Sequence, residues 1–168
     1  ARLIDVEVEP LEPLLDPATA LHEGTHQVNP RHANLLSRTV LQHGNVDRAL
    51  ATSASVVSGR WSTQRIEHLF LEPESALAVP REHGGIHLYS QGQGIFDDRR
   101  QVAEFLGVGA SRVSVELVPP GGGFGGREDL TIQPHAALLA QMTGRPVLLT
   151  LRREESIRFH AKRHPVTK

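Results

Sequence analysis

Five glycines occupy the six positions Gly121 to Gly126, broken only by Phe124, between the β-branched run "VSVELV" and a segment with helical spacing. Glycine carries no Cβ, so a loop of this kind lets backbone N–H groups approach a bulky anionic or oxo-bearing ligand closely. The chemistry this suggests is a cofactor cradle. The same stretch satisfies the dinucleotide pattern Gly121-x-Gly123-x-x-Gly126, which places a pyrophosphate at a helix N-terminus. That pattern wants its first glycine directly after the strand, whereas Pro119 and Pro120 intervene. It also wants an acidic residue after the next strand, where Arg152 and Arg153 stand instead. An NADP site uses an arginine there, so a nicotinamide-dependent dehydrogenase stays open as the alternative.

Two further groups carry ligand chemistry. His22, His26, His32 and His43 fall in one segment, but only His22 and His26 have the i, i+4 spacing of a helical ligand face, and Gly24 separates them. A solvated polar loop is the expectation. Glu67, His68, Glu72 and Glu74 surround one histidine with carboxylates. They lie on a short extended run, where neighbouring side chains face opposite ways, so a polar corner between strands is expected rather than a metal or acid–base site.

The elements that must position these residues follow from periodicity and punctuation. Leu3 to Val8 alternates like a half-buried strand, and Pro10, Pro13 and Pro17 then suit an extended linker. Asn45 caps a short helix in "VDRALATS". Strands are expected in "SVVSGRWSTQR", "SALAVP" and "GIHLYSQG", the last two joined by a turn at Gly84-Gly85. A helix over "DDRRQVAEFLGV" ends at Gly107. "RVSVELVP" is a strand, a helix is predicted from Glu128 to Met142, "RPVLLTL" is a strand, and "RREESI" is a short helix before an extended end. Pro134 is the difficulty in the predicted long helix, since it belongs in a first turn or a kink. The class is α+β: a mixed sheet layered with helices in a β-β-α-β-α-β unit, preceded by an extended N-terminal segment.

Composition narrows the partners. The 168 residues bury roughly 70% of their unfolded surface, enough for one domain with an appendage. Eighteen basic residues balance nineteen acidic ones, which gives no basis for a nucleic-acid partner. Without cysteine the chain holds no disulfide, thiolate zinc site or iron–sulfur cluster of its own. No apolar run reaches a membrane span and no signal-peptide pattern opens the chain, so a soluble, cytoplasmic protein is expected. It begins at Ala1 without methionine and ends at "RHPVTK", which suggests a piece of a longer protein.

Several motifs recur in order: "EHLFLEPESALAVP", "SQGQG", "SRVSVELVPPGGGFGGRED", "TGRPVLLTLRREESI" and "KRHP". Together they resemble the molybdenum-binding subunit of the xanthine dehydrogenase and aldehyde oxidase family. The resemblance implies that residues 1–43 are the tail of a preceding hammerhead-like domain with its connector, and that 44–168 begin the molybdenum-cofactor-binding domain. It implies a molybdenum–molybdopterin cofactor, with iron–sulfur clusters and FAD on other domains or subunits. Those domains, the remainder of the molybdenum subunit and a small-molecule substrate would be the partners. Gln93 matches the family's glutamine beside the metal, with Gln91 as a neighbouring register. Gly122, Gly123, Phe124 and Gly125 match its cofactor loop. Phe124 and Glu128 match substrate positions, the carboxylate holding a nitrogen heterocycle.

For Phe124 the bland reading is a hydrophobic plug, and for Glu128 a first-turn glutamate favoured by the helix dipole or paired with Arg127, where a lysine is usual. The reaction implied is hydroxylation of a carbon next to a ring nitrogen or carbonyl, with oxygen from water. The family's general base lies beyond Lys168, so no catalytic residue is expected here and the 168 residues alone should be inactive. A non-catalytic scaffold with the same fold is the third reading.

Overall fold

The computed structural model describes residues 5–168, in which two compact units are distinguished, dividing between Ser58 and Gly59. In the first, Asp16 and Pro17 form an N-cap and first-turn pair, and the Asp16 carboxylate accepts from the Thr19 N–H at 2.7 Å. This pair starts helix α1 (Pro17–Ala20) inside the segment expected to be an extended linker. Asn34 then staples the following loop, donating to the carbonyls of Ala20 and His26 at 3.0 and 2.9 Å. Helix α2 (Val46–Thr52) begins where expected, with the Asn45 side chain accepting from the Arg48 N–H at 2.8 Å. Of the strand expected at Leu3 to Val8, Leu3 and Ile4 lie outside the described residues, and residues 5–8 form no strand.

In the second unit the expected strand over "SVVSGRWSTQR" contracts to β1 (Ser62–Thr63). The two consecutive valines at its start, which belong to the first unit, find no core: Val56 and Val57 are 58% and 87% exposed. The main sheet is formed by β2 (Ser75–Arg81), β3 (Gly85–Ser90), β4 (Val113–Leu117) and β5 (Val147–Thr150), in the order β4-β3-β2-β5. β2 runs antiparallel to β3 and β5, whereas β3 and β4 are parallel. The parallel pair requires a crossover, and helix α3 (Ile95–Leu106) provides it, ending on Gly107 in the left-handed conformation. Helix α4 (Gln133–Thr143) joins β4 to β5, α5 (Arg153–Phe159) follows β5, and β6 (Val166–Thr167) pairs with β1.

Alternation along the strands decides which face is covered. Ala76, Ala78, Ile86, Leu88 and Val113 point to one side and bury against Val102 and Ala103 of α3 and Ala136, Ala137 and Ala140 of α4. Alanine on the inner stripe of α4 lets its backbone lie close to the sheet. The observed class is therefore the mixed α+β sheet expected from the sequence. The helix predicted from Glu128 starts instead at Gln133, with Pro134 in its first turn, where a missing N–H costs nothing.

Candidate functional site

Antiparallel and parallel pairing bring the chemistry to one end of the sheet. β3 and β4 finish level, Ser90 opposite Leu117, so the Gln91–Gly94 loop and the glycine loop leave side by side. β2 starts at that end, with Ala76 opposite Ser90, and the segment leading into it is Glu67–Glu74. β5 ends there too, Thr150 opposite Ser75, and hands the chain to Arg153. Loops at the carboxyl ends of parallel strands are the usual place for a ligand crevice.

Gln93 locks the two leading loops together. Its backbone N–H donates to the Arg127 carbonyl at 2.9 Å, and its side-chain Oε1 accepts from the N–H groups of Gly125 and Arg127 at 3.0 and 3.3 Å. The Gly126 N–H closes the turn on the Gly123 carbonyl at 2.8 Å. The N–H groups of Gly122, Gly123 and Phe124, in contrast, take no acceptor among the described residues.

The glycines divide by task. A Cβ at Gly121 would overlap the Glu72 carboxylate, one at Gly123 would lie 2.5 Å from Gln93 Oε1, and one at Gly126 would press on the His68 ring. A side chain at any of the three would force a neighbouring side chain to move. Gly125, at φ +84°, faces open space. Phe124 also has positive φ, at 54°, and its side chain is 76% exposed at the loop tip. A non-glycine residue in this region is uncommon and costs energy that the surrounding loop must supply.

Beneath the loop lies a support that sequence reading missed. Arg127 is 3% exposed, its guanidinium carbon 4.2 Å from the centroid of the buried Phe70 ring. It donates to Gln91 Oε1 and to the Glu72 carbonyl. Burial pulls its pKa below the usual guanidinium value, against the opposing influence of the Glu74 and Glu72 carboxylates. Gln91 is further held by the Ser75 N–H at 3.2 Å and by Glu72 at 3.4 Å. Its side chain is thus consumed inside, whereas Gln93 is exposed beside the glycine loop. Arg127 makes no ion pair with Glu128 among the described residues. Glu128 is exposed in the turn after the loop and outside any helix, so a dipole role does not apply to it.

A third layer sets the Gln91–Gly94 loop. Ser90 Oγ donates to the buried Asp98 carboxylate at 2.7 Å and accepts from the Gly92 N–H at 3.0 Å. Gly92 has no room for a side chain, because Asp98 fills that space. Burial raises the Asp98 pKa, opposed by the Ser90 hydrogen bond.

Residues 26–168 match the family model described as a molybdopterin cofactor-binding domain. The chain belongs to that family. Among its relatives is a probable xanthine dehydrogenase subunit of Bacillus subtilis, 35% identical over 164 residues, which cover 98% of this chain and 22% of the relative. The nicotinate dehydrogenase large molybdopterin subunit of Eubacterium barkeri is 35% identical over 98% of this chain and 38% of its own length. The solved aldehyde oxidoreductase of Desulfovibrio gigas superposes with a TM-score of 0.87 over 96% of this chain and 18% of that one, at 23% identity, and shares the fold. The chain therefore spans about a fifth to two fifths of the length of these relatives.

The molybdopterin-domain assignment displaces the dinucleotide alternative, and the geometry agrees. That reading needs a central parallel strand and a helix opening at the last glycine. β4 is an edge strand and α4 opens at Gln133. The free N–H groups at Gly122–Phe124 and the open side of Gly125 fit a group rich in oxygen acceptors, as a molybdopterin cofactor is.

The carboxylates around His68 separate into two sets. Glu72 turns to Gln91 and Gly121, whereas Glu67 and His68 meet His160, a residue no local spacing connects to them. Among the described residues the histidines from His22 to His43 form no ligand cluster. No helix of the described residues is long and apolar enough to cross a membrane.

Proposed function

We propose that this chain supplies the glycine-loop part of the molybdopterin cradle, and one wall of the substrate pocket, in a molybdenum hydroxylase acting on an N-heterocycle or an aldehyde. The observation that carries this reading is the row of three unpartnered N–H donors at Gly122, Gly123 and Phe124, beside a glutamine anchored to the same loop. When bound, the cofactor supplies the oxygen-transfer chemistry, with water as the oxygen source. Gln93 and the free amides hold its oxygen-bearing ligands, Gln93 through the Nε2 donor that the loop leaves unused. Phe124 offers an aromatic face to the substrate ring, and Glu128 accepts or shares a proton at a ring nitrogen. Iron–sulfur clusters and FAD on other domains or subunits would supply the path by which electrons leave.

The test is Gly123→Val in the complete enzyme. Gly123 lies outside the positive-φ region, so its requirement is space: the branched side chain displaces Gln93 and with it the amide row. The expected protein is folded by circular dichroism, with molybdenum and pterin content well below stoichiometric. Full metal occupancy with normal turnover would reject the cradle.

A further inference from the structure

Glu67, His68 and His160 each bring a ligand atom to within 4.8 Å of the others, behind the glycine loop. His160 is 3% exposed. Its Nδ1 donates to the Ser156 carbonyl at 2.7 Å, one turn back along α5. A carbonyl only accepts, so the proton sits on Nδ1 and the Nε2 lone pair is directed away from that bond. Nε2 stands 2.8 Å from Glu67 Oε1, yet it is buried without a hydrogen-bond partner. His68 Nδ1 is also buried and unpartnered. Two bare ring nitrogens and a carboxylate oxygen converging on one point are mutually unfavourable unless a positive charge, carried by a metal ion or a proton, lies between them.

The outer contacts are those that orient metal ligands. A ligating histidine characteristically gives its second N–H to a carbonyl or carboxylate, and ligating carboxylates are themselves hydrogen-bonded. His160 Nδ1 has Ser156 and, at 3.5 Å, Glu74. Glu67 Oε1 accepts from the Leu69 N–H at 3.1 Å, and Oε2 forms an ion pair with Lys162 Nζ at 2.9 Å without hydrogen-bond geometry. We infer that Glu67, His68 and His160 form a binding site for a divalent borderline metal ion, zinc by the nature of the donors, distinct from the molybdenum cofactor. Two imidazoles and one carboxylate, with a fourth position left to water, make a known zinc donor set. The ion would clamp the segment before β2 to the end of α5.

The test uses the full-length protein, stripped with EDTA, dialysed and titrated with Zn²⁺ against a chromogenic zinc chelator. Wild type should show one site per chain that Glu67→Gln and His68→Gln each weaken about tenfold or more. X-ray absorption at the zinc edge should give two imidazole nitrogens and carboxylate or water oxygens at about 2.0 to 2.2 Å. Equal affinity in all three proteins would assign any bound zinc to the exposed histidines from His22 to His43 and overturn the site. Absence of a site in wild type would do the same, leaving a shared proton between His160 and Glu67. Should a variant fail to fold, the wild-type edge spectrum decides alone: a shell without two imidazoles rejects the inference.

Discussion

Glu128 sits after the glycine loop, exposed, outside any helix and without an ion pair among the described residues, and Phe124 stands exposed nearby in sequence. A carboxylate so placed has no structural duty to lose. If it holds a ring nitrogen as charge builds there, Glu128→Val removes a hydrogen bond to a charged group worth about 1.5 to 3 kcal/mol, or roughly 10-fold to 150-fold in rate. Heterocycle turnover should fall by that factor while aldehyde turnover changes little. Measuring kcat/KM of the complete enzyme and its variant for xanthine, nicotinate and benzaldehyde checks this, and equal losses on all three would remove Glu128 from the pocket.

Asp98 is the residue whose titration should be visible in stability. Its folded pKa is raised by burial, so the fold favours the protonated form. Below the ordinary aspartate range both states are protonated and the effect vanishes. As pH rises from there through the raised folded pKa, stability is progressively lost, and above it the loss is constant. Asp98→Asn removes the ionisation while keeping an oxygen for Ser90. The gain in melting temperature of the variant over wild type should therefore grow across that window and then level off. A constant difference at all pH values would mean that Asp98 ionises in the fold as freely as in the unfolded chain.

Elements were legible where their signals are local. Asn45 before α2, Gly107 after α3 and the period-2 pattern of β2 and β3 all state their own conformation. The start of α4 was not, because Leu130 and Ile132 continue the apolar spacing of the helix backwards into a loop. Pro134 was the better marker, since its missing N–H is free of cost only in a first turn. The strand expected around Val56 failed for a complementary reason: alternation predicts a strand only where a core exists to receive one face. In the site, the glycine loop was readable from composition. The buried Arg127 beneath it was not, nor was His160, because each depends on partners distant in sequence, Glu72 and Gln91 in one case and Glu67 in the other.

At the scale of the whole molecule, the loops that meet at the end of the sheet are proposed to contribute one side of the cofactor site. The chain spans about a fifth of the Bacillus subtilis relative, and the remainder of the molybdenum subunit is proposed to supply the rest of the pterin shell and the catalytic base. The 168 residues expressed alone should fold, yet purify without molybdenum or pterin, and tight retention of pterin would contradict this. In that isolated state the amide protons of Gly122, Gly123 and Phe124, which take no acceptor among the described residues, should exchange with solvent deuterium far faster than those of β3 beside them.

That contrast gives the loop a second use. Because its neighbours Gly125, Gly126 and Arg127 are already hydrogen-bonded within the protein, the amides of Gly122, Gly123 and Phe124 are among those whose protection can change when an acceptor arrives. The loop is therefore its own gauge of maturation: in a mixed preparation, the fraction of slowly exchanging Gly122–Phe124 amides should equal the fraction of molecules that carry cofactor.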